Sequence, residues 1–185
     1  MNTSSQTNVT RYDTVYKLLH WFVATLILLM LLAKFGFASA LSVEDKTNML
    51  IGHSSIGSIL TLFIILRLAK RFIVRTERPV HAIPSWQKRV SSFVHLALYA
   101  CLIMIPITGY LSASLHELPV MPFTLFNLSQ VSTSGYLEAD FLLMRGLHES
   151  AINLLLVLLV LHIGGALFHK FVRKDGVMAS MTPGK

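Results

Sequence analysis

Four long apolar stretches constrain this chain most. They lie between Lys17 and Lys34, between Lys46 and Arg67, from Arg89 to His116, and between Glu149 and Lys170. A helix of about 20 such residues crosses the hydrocarbon core of a bilayer. Because lipid offers no partner for free backbone groups, and the period-two alternation of a barrel is absent, these segments must be helices. We predict an all-α fold, a four-helix transmembrane bundle forming one domain over 1–185, with helices at about 15–37, 48–71, 90–112 and 145–171.

The distribution of Lys and Arg along the chain predicts the membrane topology. Thirteen of the sixteen Lys and Arg residues fall in the N-terminal segment, the 67–89 connection and the C-terminal tail. Basic residues concentrate on the cytoplasmic side of membrane proteins, so both termini are predicted to be cytoplasmic. The net charge of +7 then reflects this topology, and we expect membrane lipid but no nucleic acid as a partner. The single cysteine, Cys101, excludes a disulfide scaffold, CxxC metal sites and a covalently attached haem.

The outer connection from about Ser112 to Arg145 is longer than most loops. It contains the apolar or aromatic residues Pro119, Pro122, Phe123, Phe126 and Tyr136. We predict a partly apolar cap on the outer face, which serves either as a lid or as a docking surface for a protein redox partner.

Eight histidines in so apolar a chain are the main functional signal, because ionisable groups inside a membrane are costly. The predicted topology puts His20 near the inner side and His53 near the outer side. On the fourth helix, His148 is outer and His162 is inner. The two residues are 14 positions apart, which corresponds to about 21 Å along the helix axis. The rotation over this distance is within about 40° of four full turns, so both histidines project from nearly the same face of the helix. The sequence therefore predicts two level-matched pairs, His20 with His162 and His53 with His148.

Facing imidazoles on neighbouring helices are what an axially ligated haem b requires. Small residues lie about one turn from the four histidines and leave clearance for a porphyrin: Ala24, Gly57, Ala151, Gly165 and Ala166. We predict two haem b groups ligated by these four histidines. Arg67 and Arg71 are expected to bind the propionates of the inner haem. Another metal site is not indicated, since no His-x3-His or carboxylate pair shares a helical face.

The other histidines leave alternatives open. His95, on the inner side of the third helix, is an alternative ligand in place of His20 or His162. His169 suits a quinone head group or a propionate, or else is an interfacial residue in water. His81 and His116 are predicted to be solvated loop residues. A transporter or structural protein with histidine proton relays is the non-redox alternative, and it would be colourless.

Several short motifs, in order and spacing, resemble those of the bacterial cytochrome b-561 family. They are His20-Trp21, Gly52-His53, Arg67, Pro106-Ile107-Thr108-Gly109-Tyr110, Leu147-His148-Glu149, Leu161-His162 and Lys174-Asp175-Gly176. The resemblance covers nearly the whole chain. It implies a four-helix dihaem cytochrome of the bacterial inner membrane, with the same four histidines as ligands.

Within that family, a short stand-alone chain is similar to the superoxide oxidases. This implies oxidation of superoxide at the periplasmic side and reduction of ubiquinone in the membrane. Arg145 and Lys46 are the candidates for attracting the anion, although the predicted outer side carries three basic and six acidic residues. The quinone is expected near His169, His95, Lys17 and the 67–71 basic cluster, with His169 relaying protons. The alternative is a cytochrome b anchor subunit that relays electrons between a partner dehydrogenase or hydrogenase and the quinone pool.

Overall fold

The described part of the protein is helical throughout its regular structure. The computed structural model describes residues 11–39, 42–74, 79–116, 118–129 and 138–182. Within them lie α1 (Thr14–Ser39), α2 (Val43–Phe72), α3 (Ser85–Ser114) and α4 (Glu138–Phe168). All four are long and apolar enough to span a membrane. This confirms the predicted all-α, four-helix transmembrane bundle, and the chain is a multi-pass membrane protein.

The start of α2 differs from the prediction. The helix begins at Val43 because Ser42 forms a capping box with Asp45. The Ser42 hydroxyl accepts the Asp45 N–H at 3.0 Å, and the Asp45 carboxylate accepts the Ser42 N–H at 3.2 Å. Lys46, predicted to precede the helix, therefore lies in its first turn.

The fourth helix also begins earlier than predicted, at Glu138. Glu138 and Asp140 lie in its first turn, where negative charge interacts favourably with the partial positive charge of a helix N-terminus. Arg145, predicted to begin the helix, consequently lies about two turns inside it.

The bundle core lies between the two predicted histidine levels. Its close packing occurs mainly within two hairpins, α1 with α2 and α3 with α4. Two buried residues from each helix form the core: Val23, Ile27, Leu60, Ile64, Cys101, Leu102, Leu155 and Leu158. In lipid such a core holds by close packing, since association of helices there gains little from the hydrophobic effect. Apolar side chains such as Leu96 and Val160 are exposed on the outside, as a lipid-facing surface requires.

The outer connection forms a cap against α2, as predicted, in the part that the structure describes. Val120 and Pro122 are buried, and the Phe123 N–H donates to the Ser55 hydroxyl of α2 at 2.7 Å. Leu125 and Phe126 stay exposed on this cap. Tyr136, which the prediction included, lies outside the described residues.

The C-terminal tail is bound to the beginning of α1. A π-helical turn, His169–Arg173, continues α4, and a 3-10 turn follows at Met178–Ser180. The Trp21 indole N–H donates to the Met181 carbonyl at 2.9 Å, and the Tyr12 N–H donates to the Ser180 carbonyl at 3.2 Å. The tail therefore packs against the beginning of α1.

Candidate functional site

The structure brings together both histidine pairs that the spacing predicts. The ring centroids of His20 and His162 are 6.2 Å apart, and their planes cross at 69°. Those of His53 and His148 are 6.3 Å apart and cross at 78°. Each pair therefore joins the α1–α2 hairpin to α4, and the continuous α4 sets the two levels about 21 Å apart.

The spacing within each pair matches an iron held between two imidazoles. Two metal–nitrogen bonds of about 2 Å and two ring radii of about 1 Å place the centroids about 6 Å apart. The Nδ1 atoms of His20 and His53 are buried without a hydrogen-bond partner among the described residues, which is unusual for buried polar atoms. A Cβ on Gly165, one turn beyond His162, would meet nothing within 4 Å. The residues present thus fit a haem at each level.

The outer histidine of α4 is oriented by α3. His148 Nδ1 donates to the Ile105 carbonyl at 2.9 Å and lies 3.3 Å from the Thr108 hydroxyl. Because a carbonyl only accepts, the proton is on Nδ1, and Nε2 is left as a metal ligand. A Cβ on Gly109 would lie 3.0 Å from His148 Cε1, so glycine permits this close approach of α3 to the ring.

Two arginines and two tyrosines lie at the inner level. Arg71 donates to the Tyr16 hydroxyl at 3.0 Å, and its guanidinium carbon lies 5.3 Å from the Tyr99 ring centroid. The Arg67 guanidinium carbon lies 6.0 Å from both tyrosine rings. The Nε atoms of both arginines are buried and have no hydrogen-bond partner among the described residues. This fits the predicted binding of haem propionates, which are strong acceptors.

The sequence reasoning missed the tyrosines, because nothing in their spacing distinguishes them from other interfacial aromatic residues. Lys17, assigned from sequence to the same region, is buried at this end of α1. Lys70, in the 67–71 cluster, instead forms an ion pair with Asp13 at 3.3 Å.

His169 begins the π-helical turn at the end of α4, and it is less exposed than the interfacial residue in water that one alternative predicts. Its side chain is 14% exposed, and Nδ1 donates to the Asp175 carboxylate at 2.6 Å. A turn with positive φ at Lys174 and Gly176 places Asp175 there. His169, Lys170, Lys174 and Gly176 line a cavity of roughly 250 Å³ with Met178 and Ala179.

Asp175 provides the charge that holds His169. Burial raises the pKa of the Asp175 carboxyl, but hydrogen bonds from His169, Arg173 and the Val177 N–H outweigh this and lower the pKa below its ordinary value. The carboxylate is therefore ionised at neutral pH and remains an acceptor. From sequence, Asp175 stands out only as part of the Lys174-Asp175-Gly176 motif, since its contact with His169 depends on the turn.

The two loop histidines are less solvated than predicted. His81 is half-buried, and its Nε2 is buried without a hydrogen-bond partner among the described residues. His116 is also half-buried, because its Nδ1 accepts the Leu118 N–H at 2.9 Å and its ring contacts Phe141. Neither lies in one of the two pairs.

The outer cations are less suited to attracting an anion than the sequence suggests. Arg145 donates to the Glu149 carboxylate one turn along α4 at 2.9 Å, and the two side chains are similarly exposed. The acidic partner offsets the positive charge of Arg145. Lys46 is exposed in the first turn of α2.

No cluster of three or more histidine, cysteine or acidic side chains able to hold a metal occurs in the described ranges. Each level instead offers a pair of imidazoles on different membrane helices, with a third imidazole, that of His95, beside His162 at the inner level. A four-helix membrane protein with paired histidines at two depths belongs, by fold and site, to the class of haem-binding membrane cytochromes.

Comparison with known proteins agrees with this class. Residues 11–184 match the profile of the prokaryotic cytochrome b561 family, and the chain belongs to that family. Cytochrome b561 homolog 2 of Escherichia coli (strain K12) is 30% identical over 129 residues, which cover 70% of this chain and 68% of that protein. Cytochrome b561 homolog 1 of the same organism is 30% identical over 101 residues. That alignment covers 54% of this chain and about half, 55%, of the homolog. The chain is therefore a b-type cytochrome of electron transfer.

Proposed function

We propose that this protein is a dihaem cytochrome that transfers electrons from superoxide at the outer side of the bacterial inner membrane to ubiquinone near the cytoplasmic side. The observation that carries the proposal is the pair of imidazole separations, 6.2 and 6.3 Å, at two depths of one bundle. Both termini are cytoplasmic in this proposal, in agreement with the distribution of Lys and Arg.

Four histidines hold the haems in this proposal, His20 with His162 and His53 with His148. Each haem, when bound, would supply a one-electron redox centre. The Ile105 carbonyl orients His148, and Arg67 and Arg71 bind propionates. The apolar core between the two levels keeps water out of the interior of the bundle.

The inner cavity beside His169 is the proposed quinone site. Its volume of roughly 250 Å³ suits a head group alone, because pockets for whole ligands usually exceed about 300 Å³. Asp175 accepts the Nδ1 proton of His169, and a second proton, taken up on Nε2 from the cytoplasmic side, would be donated to a quinone oxygen. Lys170 and Lys174 line the same cavity and stabilise negative charge that develops on the head group.

The proposed reaction balances with superoxide as the only reductant. Two superoxide anions give one electron each and leave as dioxygen. One quinone accepts these two electrons, and two protons from the cytoplasmic side complete the quinol. His169 is the proposed group that passes protons to the quinone oxygens.

Rapid mixing of the purified, haem-loaded protein with superoxide, with and without a soluble ubiquinone analogue, tests the function. We expect two haems b per chain by pyridine haemochrome, rapid reduction of the haem by superoxide, and reoxidation when the quinone is added. A colourless protein, or haem that superoxide does not reduce, would contradict the proposal.

We expect Asp175→Asn to slow quinone reduction about threefold to tenfold at unchanged haem content. The amide keeps the shape of the side chain but loses the charge that holds the His169 proton on Nδ1. The measurement is reoxidation of the pre-reduced protein by the quinone analogue. Asp140→Asn is the matched control, because Asp140 is an exposed aspartate in the first turn of α4, at the opposite end of that helix from this cavity. Equal rates in the two variants would remove Asp175 from the quinone site.

Glu149→Gln is expected to raise the rate of haem reduction by superoxide about twofold to threefold at low ionic strength. The change frees the positive charge of Arg145 from its acidic partner, and the gain should fade with added salt. Glu138→Gln removes the same charge from the beginning of α4 and serves as the control. A similar gain in both variants would indicate an effect of overall charge rather than steering by Arg145.

The second candidate is a membrane subunit that receives electrons from a docked protein. The exposed side chains of Leu125 (76%) and Phe126 (54%) on the outer cap favour it, since exposed apolar residues often mark contact surfaces. Stable co-purification with an iron–sulfur protein, lost in a Leu125→Ser/Phe126→Ser variant, would favour this candidate. Haem reduction by superoxide in the isolated chain would favour the first.

A further inference from the structure

His95 of α3 lies directly against one of the inner histidines. Its ring centroid is 5.2 Å from that of His162, and the two planes cross at 78°. This is about 1 Å shorter than the separation of either proposed ligand pair. Because an iron between two imidazoles needs a centroid distance of about 6 Å, this contact leaves no space for a shared metal. His95 therefore contacts His162 as a neighbour, and His20 is the imidazole that faces His162 across the haem site.

The hydrogen bonds of His95 determine where its proton lies. Its Nδ1 is 2.7 Å from the Ser91 carbonyl oxygen and 3.2 Å from the Ser91 hydroxyl. A carbonyl only accepts, so Nδ1 carries the proton and donates it to Ser91. In a neutral imidazole the other nitrogen, Nε2, then carries a lone pair and acts as an acceptor. His95 thus offers an acceptor on the side of its ring away from Ser91.

The outer level shows how α3 holds a ligand of α4. There the Ile105 carbonyl accepts the Nδ1 proton of His148. Histidines that ligate metals usually donate their second ring N–H to such an acceptor, which fixes the ring and makes it a stronger electron donor. At the inner level, α3 brings the imidazole of His95 next to His162, the histidine of α4 that corresponds to His148.

We propose that His95 is a positioning residue that accepts the second ring N–H of His162 and so sets the electron-donating strength of the inner haem ligand. The proposal rests on the proposed function, since it requires a haem between His20 and His162. A strongly donating ligand stabilises the oxidised iron. Loss of the acceptor therefore favours the reduced form of the inner haem and leaves the outer haem unchanged.

A redox titration of the full-length, haem-loaded protein tests this role, with His95→Leu as the first variant. At the potential where the wild-type inner haem is half reduced, we expect the ratio of reduced to oxidised haem to rise about threefold to tenfold. A tenfold change corresponds to about 59 mV for a one-electron couple. The outer haem is the internal reference, and low-temperature paramagnetic resonance should show a change in one of the two low-spin signals only.

Two further variants separate positioning from other roles. His95→Gln can place an amide oxygen near the position of Nε2, so it should restore most of the wild-type ratio. Ser91→Ala removes the hydroxyl but keeps the carbonyl that holds Nδ1, so it should resemble the wild type. All three variants should retain two haems.

Three results would overturn the inference. Unchanged potentials and spectra in His95→Leu would show that His95 does not influence the ligand. Loss of one haem from both the Leu and Gln variants would make His95 a ligand or a residue needed for assembly. A shift of equal size in the Leu and Gln variants would exclude the acceptor role. Fewer than two haems in the wild-type protein would instead refute the proposed function, before any variant is made.

Discussion

Replacement of any one of the four paired histidines by alanine is expected to lower the haem content from two to one per chain. Loss of one histidine would leave only one imidazole to hold the haem at that level, and the other site is too far away, at about 21 Å, to be affected directly. His20→Ala and His162→Ala should each remove the inner haem. His53→Ala and His148→Ala should each remove the outer haem. Pyridine haemochrome gives the count, and paramagnetic resonance shows which low-spin signal is lost.

The comparison of variants within a level makes this experiment specific. The two inner variants should lose the same signal, and the two outer variants should lose the other. His81→Ala and His116→Ala are the matched controls, because these loop histidines lie outside both pairs and should keep both haems. Normal loading after His53→Ala, or loss of both haems from every variant, would disprove the assigned pairing.

Gly109→Val is expected to remove most of the outer haem without replacing any ligand. A Cβ at this position would already lie 3.0 Å from His148 Cε1, and the two methyl groups of valine would extend further toward the ring. His148 cannot move freely, because its Nδ1 is bound to the carbonyl of Ile105. Ile105 lies on α3, one turn before Gly109. The His148 ring would therefore tilt and would no longer face His53 in the orientation seen in the structure. Haem content should fall from two toward one per chain, and Gly109→Ala should show a smaller loss.

Gly146→Val provides the control for this effect. Gly146 lies on α4 two residues before His148, and a Cβ there would meet nothing within 4 Å. The control variant has the same substitution in a membrane helix and should keep both haems. A full outer signal in Gly109→Val would show that α3 does not fix the position of His148.

The depth of each paired histidine was accessible to sequence reasoning because two simple constraints determine it. A membrane-spanning helix has a known length, and its rise of about 1.5 Å per residue converts position into depth. The alternation of direction from one span to the next then places His20 with His162 and His53 with His148. The choice between His20 and His95 as the partner of His162 stayed open, because both lie at the inner level.

The contacts around the ligands were not accessible in this way. His148 is oriented by the Ile105 carbonyl and by the absence of a side chain at Gly109, which depends on how closely α3 approaches α4. The pairing of His169 with Asp175 depends on a turn with positive φ at Lys174 and Gly176. Such contacts join residues whose spacing carries no periodic signal.

The sequence by itself determined the membrane class, the four helices and the two levels of histidine, because hydrophobic length and helical rise act along the chain. The tertiary structure decided which side chains face each other across the bundle and which groups orient them. It separated the 6.2 Å pair of His20 and His162 from the 5.2 Å contact of His95 with His162. This difference of about 1 Å arises from the rotation and approach of whole helices, which many side-chain contacts set together.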